Sequence, residues 1–232
     1  SQNGLVAFFP GFKAMPLAAN PALAEAQART PVVVVADPAS CSLQFDPGGR
    51  AQFATACDIA KTALANAGVS YTNQAAPAGA PAQVKVGAIT VTSVDGTGLD
   101  RAALTETNRQ VEGQIRSALA EAGYPATADP ARLNLPLLFG LMMIFVVGAT
   151  ALYGPMAAAL VELFPTRIRY TAMSLPYHIG TGWVGGFVPF SAFAIVTATG
   201  DIYAGLWYPV IFTAISVAVC LFLPETKGKP LD

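Results

Sequence analysis

Three long apolar runs follow one another in the C-terminal part of the sequence, and they constrain its fold more than any other feature. They cover Leu137–Leu160, Tyr170–Gly200 and Ile202–Pro224, and none of them contains Asp, Glu, Lys or Arg. Each exceeds the roughly 18 apolar residues typical of a membrane-spanning helix. Hydrocarbon offers the backbone no hydrogen-bond partners, so such segments must be helical. We therefore predict three transmembrane helices in the lipid bilayer, over about 136–160, 171–198 and 204–223.

The charged residues are concentrated ahead of these runs. Nine of the 13 Lys and Arg and ten of the 14 Asp and Glu lie before position 133. This division predicts a soluble domain over residues 16–132, followed by a membrane part over 133–232 that ends in a short tail. The formal net charge of −1 gives no case for a nucleic-acid partner.

The opening segment Gly4–Met15 is apolar and aromatic but too short to span a bilayer. It is either an interfacial anchor or the end of a spanning helix that is cut off upstream. Amphipathic anchors usually carry several Lys and Arg, whereas this segment has only Lys13. Residues 1–15 are therefore expected to be the tail of a truncated transmembrane helix.

Local patterns in residues 16–132 predict a small α+β domain. Asn20-Pro21 is a favourable helix start, and the β-branched run that follows Pro31 indicates a buried strand. The other segments are assigned from the spacing of their apolar residues. The predicted elements are helices over 21–29, 51–67 and 100–122, strands over 31–36, 69–72 and 84–92, and an exposed loop over 74–83.

Two of the three cysteines, Cys41 and Cys57, fall in this domain, sixteen positions apart. A disulfide between them is plausible if the domain faces an oxidising compartment, and two buried free thiols are the alternative. Cys220 lies inside the third apolar run and is expected to face lipid or fill space between helices.

The short loops predict the orientation of the helices. Glu162–Arg169 carries Arg167 and Arg169, and the tail after Pro224 carries two lysines, whereas Asp201 is the one charge between the second and third runs. The positive-inside rule places the first loop and the C-terminus in the cytoplasm. The soluble domain is then extracytoplasmic.

The second run is rich in residues that interrupt helices. In a membrane such a composition indicates close helix contacts and bends, and interrupted helices are typical of alternating-access transporters. Tight packing in another polytopic protein remains the alternative. The predicted packing and kink positions are Gly154 and Pro155 in the first run, and Pro176, Gly182, Gly186 and Pro189 in the second.

A few polar and aromatic residues in these runs are candidates for function. His178, the only histidine, either takes part in proton or anion binding or is a neutral residue hydrogen-bonded between helices. Tyr153 and Tyr177 either line a cavity or pack between helices. Glu162 with Arg167 and Arg169 either forms a cytoplasmic gate of ion pairs or marks topology only.

Catalytic motifs are absent from the soluble domain. Residues 16–130 contain no His, no Gly-x-Gly-x-x-Gly, no P-loop and no Gly-x-Ser-x-Gly. Metal binding by Cys41 and Cys57 would need more ligands than the domain offers. We therefore expect no enzyme activity, no cofactor and no metal site.

Three motifs lie in the membrane part and its tail: Glu162-Leu-Phe-Pro-Thr-Arg-Ile-Arg-Tyr-Thr171, Ser174-Leu-Pro-Tyr-His-Ile-Gly180 and Pro224-Glu-Thr-Lys-Gly228. They resemble the major facilitator superfamily, most of all its metabolite:proton symporter branch. Some bacterial members also resemble residues 8–132, including the Asp37-Pro-Ala-Ser-Cys41 element.

The resemblance implies a membrane all-α fold, in which the three runs are the last three helices of a twelve-helix bundle. The tail of the preceding helix and an inserted small α+β domain would come before them. It also implies a multi-pass protein of the bacterial inner membrane whose N-terminal helices lie outside this sequence. The substrate or proton path candidates are then Thr150, Tyr153, Tyr177, His178 and Thr181, although many relatives carry Gln at the position of His178.

The leading interpretation is a fragment of a secondary transporter that moves a small polar metabolite, expected to be anionic, together with a proton by alternating access. The alternative is a membrane-anchored extracytoplasmic binding or interaction module without transport. An anchor needs apolar length but not the Gly and Pro content of the second run.

Overall fold

The structure is a computed structural model that describes residues 20–48, 50–127 and 130–222. The predicted helix tail at 1–15, the C-terminal tail and the side chain of Pro155 lie outside the described residues. The chain divides into two compact units. One comprises the described residues up to Leu135 with Phe190–Gly205, and the other comprises Pro136–Pro189 with the described residues from Leu206 onward.

The first unit contains a mixed four-stranded sheet in the order β2-β1-β3-β4. Strand β1 pairs parallel with β2 and antiparallel with β3, and β3 pairs antiparallel with β4. The β-branched valines of β1 alternate between buried and half-buried positions, as expected for a central strand. The elements are α1 (Pro21–Arg29), β1 (Val32–Ala36), α2 (Ala56–Asn66), β2 (Tyr71–Ala75), β3 (Gln83–Val86), β4 (Ile89–Thr92) and α3 (Arg101–Glu121).

The helices α1, α2 and α3 each begin at a polar cap. The Asn20 side chain accepts from the N–H of Leu23, as predicted, and the Asp100 carboxylate accepts from the N–H of Ala103. The Thr55 hydroxyl caps α2 in the same way. The predicted start of α2 at position 51 is therefore wrong, because the cap fixes the first turn at Ala56.

The predicted single strand over 84–92 is also wrong. The chain turns at Gly87, which has a φ of +59°, and forms the hairpin β3–β4. Strand β2 covers Tyr71–Ala75 rather than 69–72, so the exposed connection to β3 is shorter than predicted.

The core of the unit lies between the sheet and the two longer helices. Leu64 of α2 and Val111 and Ile115 of α3 are almost fully buried against the sheet valines. A disulfide joins Cys41, in the segment after β1, to Cys57 in the first turn of α2, with the two Cα atoms 5.2 Å apart. Cys220 is free and exposed.

Within the described residues, three helical spans are long and apolar enough to cross a membrane: Leu135–Leu163, Arg169–Thr199 and Ala204–Phe222. The first is α4 (Leu135–Leu163), and the third contains α7 (Trp207–Phe222). The second is built from α5 (Arg169–His178), a π-helical segment (Ile179–Gly185) and α6 (Val188–Thr199). Almost none of their surface is buried within the chain, so the surface suits contact with lipid or with other helices.

Candidate functional site

The second span is interrupted at its centre. Pro176 lies inside α5, where it lacks the N–H that would continue the helical bonding, and the π-helical segment Ile179–Gly185 follows. A Cβ atom on Gly186 would lie 2.2 Å from the carbonyl oxygen of Gly182, so this turn admits only glycine at 186. Pro189 is the second residue of α6, where a helix tolerates proline.

An open cleft of about 530 Å³ lies beside this interruption, between α4 and α5. Tyr153 from α4 and Tyr177 and His178 from α5 line it, and the rings of Tyr177 and His178 meet edge to face with centroids 5.7 Å apart. Tyr153 is 65% exposed and Tyr177 is 41% exposed. The cleft therefore offers aromatic surface with few polar groups, an arrangement common in small-molecule sites.

The structure brings together three of the five predicted path residues and leaves two apart. Tyr153, Tyr177 and His178 line the cleft, whereas Thr150 and Thr181 are not among its lining residues. The Thr150 hydroxyl donates to the carbonyls of Val146 and Val147, one turn back. The Thr181 hydroxyl donates to the carbonyl of Tyr177 at 2.7 Å.

Sequence reasoning missed several cleft residues that helical spacing could have revealed. Tyr170 and Ser174 lie seven and three positions before Tyr177, which places all three on one face of α5. On α4, Met156 and Leu160 share a face with Tyr153 in the same way. The missed residues are Met156, Leu160, Val161, Tyr170, Met173 and Ser174.

The charged loop between the first two spans lies at the ends of α4 and α5. Glu162 is exposed in the last turn of α4, Arg167 is exposed in the loop, and Arg169 begins α5. The Arg169 Nε donates to the carbonyl of Phe164 at 3.1 Å, while its Nη2 is buried without a hydrogen-bond partner. The Arg169 side chain thus ties the start of α5 to the loop that precedes it.

A second contact that sequence reasoning did not anticipate lies at the other end of this span, within the first unit. The N–H of Tyr71 in β2 donates to the carbonyl of Gly200 at 2.8 Å, and the Tyr71 hydroxyl donates to the carbonyl of Thr197 at 2.8 Å. The Asn73 amide donates to the carbonyls of Ala198 and Thr199, both at 3.3 Å. Carbonyls in the last turn of a helix have no N–H partner within the helix. Here Tyr71 and Asn73 of strand β2 provide the hydrogen-bond donors.

The side chain of Tyr71 is buried in this contact, and burial raises the pKa of its phenol well above the ordinary value of 10.0. Gly200, with a φ of +81°, ends α6 at the same place. A Cβ atom there would lie 2.2 Å from the carbonyl oxygen of Tyr71. Glycine at position 200 therefore permits both the helix end and the close approach of β2.

A family model described as "Sugar (and other) transporter" matches residues 122–232. Residues 122–232 are therefore similar to this transporter family. The match confirms the resemblance to the major facilitator superfamily. The family and the relatives named below are transporters and not enzymes.

Curated relatives are named as transporters. The chain is 34% identical over 95 residues to the glycine betaine/proline/ectoine/pipecolic acid transporter OusA of Dickeya dadantii. The aligned segment covers 41% of this chain and 19% of that relative. It is 32% identical over 120 residues to a putative metabolite transport protein of Haemophilus influenzae, covering 51% and 28%. It is 38% identical over 84 residues to the ectoine/proline transporter ProP of Corynebacterium glutamicum, covering 35% and 16%.

The matched segments thus span between 16% and 28% of the length of these relatives. No solved structure matches the chain significantly. The family match and the three apolar spans together identify a multi-pass membrane protein whose membrane part is all-α.

Proposed function

We propose that this chain is part of a secondary transporter that moves a small polar metabolite together with a proton across the bacterial inner membrane. The observation that carries the proposal is the interrupted second span. π-Helical turns and glycine contacts inside membrane helices commonly mark functional sites, and here they lie beside a cleft. A helix that serves only as a membrane anchor needs sufficient apolar length and does not require such an interruption.

The mechanism follows from the position of the interruption. The π-helical segment Ile179–Gly185 separates α5, which lines the cleft, from α6, which ends at the sheet. Bending here would open or close the cleft while the two halves keep their helical bonds, as alternating access requires. His178 is the last residue of α5 and lines the cleft, and it is the proposed proton carrier.

The proposed substrate class is a small metabolite that carries a carboxylate, as an anion or as a zwitterion. Glycine betaine, proline, ectoine and pipecolic acid, which appear in the name of one relative, share this group. Three tyrosines line the cleft, and aromatic faces attract cationic ammonium groups. This lining favours a zwitterion, while the anionic substrate expected from the sequence remains the competing form.

The proposed orientation puts the Glu162–Arg169 loop in the cytoplasm and the α/β unit outside. The two arginines of that loop support this arrangement through the positive-inside rule. The Cys41–Cys57 disulfide supports it independently, because disulfides persist in oxidising compartments. We further propose that Glu162, Arg167 and Arg169 form a gate on the cytoplasmic side, and that the uncovered faces of the spans pack against further helices of the transporter.

The test is uptake into proteoliposomes by the product of the full-length gene. We expect accumulation of proline or glycine betaine that depends on an inward proton gradient and collapses when an ionophore dissipates it. Succinate, a dicarboxylate, serves as the anionic comparison. His178→Gln should lose the dependence on the gradient, whereas Trp207→Phe, at a residue outside the cleft lining, should retain it. Failure to accumulate any of the three compounds would favour the alternative, an extracytoplasmic binding module without transport.

A further inference from the structure

A second cavity, of about 400 Å³, lies in the α/β unit at the carboxyl ends of the two parallel strands. Ala36 and Ala75, the last residues of β1 and β2, form one wall. In open α/β sheets, ligands are bound outside the carboxyl ends of parallel strands, because helix and loop residues gather there around a crevice. The cavity therefore occupies the place in the sheet where a ligand is expected.

A buried lysine lines this cavity. Lys61, on α2, is only 8% exposed, and none of the hydrogen bonds or ion pairs among the described residues engages its ammonium group. Burial lowers the pKa of the Lys61 ammonium, which the charge of Asp58 partly opposes. A lysine is almost never this buried unless an anion pairs with it.

The nearest carboxylate is already engaged by other donors. The Asp58 carboxylate accepts from the N–H of Ser42 at 2.8 Å and from the Ser42 hydroxyl at 2.5 Å. Asp58 itself is 1% exposed and is not among the residues that line the cavity. The ammonium donors of Lys61 are therefore left for an occupant of the cavity.

We propose that this cavity binds a small molecule through a single carboxylate, with Lys61 as the counter-ion. Gln74 lies on the exposed wall and supplies an amide at the entrance. Lys61 is the one cationic side chain among the lining residues, and Asp58 lies close by, so the site matches one negative charge better than a phosphate dianion.

The occupant would also touch the second span. Ala198, near the end of α6, lines the same cavity, and the neighbouring Asn73 amide donates to the carbonyls of Ala198 and Thr199. The inferred site is thus a binding function of the α/β unit, distinct from the cleft between α4 and α5. It does not depend on transport and would exist in a protein that transports nothing.

The first experiment measures protection of Lys61 in the 232-residue chain held in lipid nanodiscs. The chain is treated briefly with a water-soluble acetylating reagent, and the acetylation of each lysine is followed by peptide mass spectrometry. The probes are butyrate, proline and inorganic phosphate, with sodium chloride at equal ionic strength. We expect butyrate or proline to slow acetylation of Lys61 at least five-fold in a saturable manner, with no change at the exposed Lys85 on β3.

Equal rates with every probe, or equal protection by chloride, would overturn the proposal, and so would stronger protection by phosphate than by either carboxylate. The second experiment measures calorimetric binding of the protective probe to Lys61→Met, with Lys85→Met as the matched control. Binding should fall at least ten-fold in the first variant and stay unchanged in the second. If Lys61→Met does not fold, Gln74→Leu replaces it, and an affinity equal to that of the unchanged chain would then count against the site.

Discussion

The backbone N–H of Tyr71 donates to the carbonyl oxygen of Gly200 at 2.8 Å, across 129 positions of the sequence. With the Tyr71 hydroxyl and the Asn73 amide, this bond satisfies the carbonyls of residues 197–200 at the end of α6. The contact also gives the backbone N–H of Tyr71, at the start of the edge strand β2, a hydrogen-bond partner outside the sheet. The start of β2 thus provides the hydrogen-bond donors that the carbonyls at the end of α6 need.

Replacing Gly200 with alanine should detach this contact. The new Cβ would lie 2.2 Å from the Tyr71 carbonyl oxygen, in addition to the roughly 1–2 kcal/mol that a positive φ costs an L-residue. We expect the Tyr71 amide to exchange its hydrogen at least ten-fold faster. Gly123→Ala is the matched control, because Gly123 also has a positive φ, but a Cβ atom there would meet none of the described atoms within 4 Å. Equal effects of the two changes on β2 would contradict the steric argument.

Tyr71→Phe should weaken the same contact without a clash. The change removes the hydroxyl that donates to the Thr197 carbonyl, a buried hydrogen bond whose loss costs about 1–3 kcal/mol. Thermal unfolding of the chain in nanodiscs, followed by circular dichroism, measures the loss. Tyr170→Phe, at a highly exposed tyrosine, should leave the midpoint unchanged.

The same variant should alter the response to alkaline pH. Because burial raises the pKa of Tyr71, the folded state retains the phenol proton more strongly than the unfolded chain does. The stability that Tyr71 contributes is therefore complete below about pH 10 and declines as the pH rises above it. Tyr71→Phe should show a smaller decline between about pH 9 and 11, measured by thermal unfolding, and an identical decline would contradict the assignment.

The Cys41–Cys57 disulfide should stabilise the α/β unit. It closes a loop of 16 positions, for which the chain-entropy model gives about 3 kcal/mol. The double change Cys41→Ser and Cys57→Ser should lower the urea midpoint of this unit, and Cys220→Ser should not. In the membrane-extracted protein, iodoacetamide without reductant should modify Cys220 alone. Modification of all three cysteines would show that the bond does not form in the cell.

Gly186 should be needed for movement of the second span. A Cβ atom at this position would lie 2.2 Å from the Gly182 carbonyl oxygen, whereas a Cβ atom on Gly180 would meet none of the described atoms within 4 Å. In the full-length transporter we expect Gly186→Ala to reduce the uptake rate at least ten-fold and Gly180→Ala to reduce it less than two-fold. Immunoblotting of the purified membranes must show equal amounts of both variants. Equal uptake by the two would show that the close approach of Gly186 to Gly182 is not needed for transport.

Local patterns predicted the elements that depend on local chemistry. The Asn20 cap, the helix that follows it and the valine strand appear in the structure where the sequence placed them, because caps and β-branched runs act over a few residues. The hairpin was missed because residues 84–92 were treated as one alternating run, although the apolar positions shift by one at Gly87-Ala88, from Val84 and Val86 to Ile89 and Val91. A two-residue connection with glycine first is itself a hairpin pattern, and it would have divided the strand correctly.

The contacts between distant segments could not be predicted. Nothing in the sequence near Tyr71 indicates a partner at positions 197–200. The acceptors there are backbone carbonyls, which every residue type has, so the side chains at 197–200 do not reveal the contact. The cleft was predicted in part. Tyr153, Tyr177 and His178 were recognised as individual candidates from their residue type, whereas Ser174 and Met173 were not. Comparison of the faces of two adjacent helices would have recovered them.

Four hydrogen bonds join β2 to the carbonyls of residues 197–200 and so couple the sheet to the end of α6. Any rotation of α6 about the π-helical segment must carry the whole sheet along or break those bonds. Under the proposed transport mechanism, a dye attached to the exposed Thr92 of β4 would then report each movement of α6 without a label in the span itself.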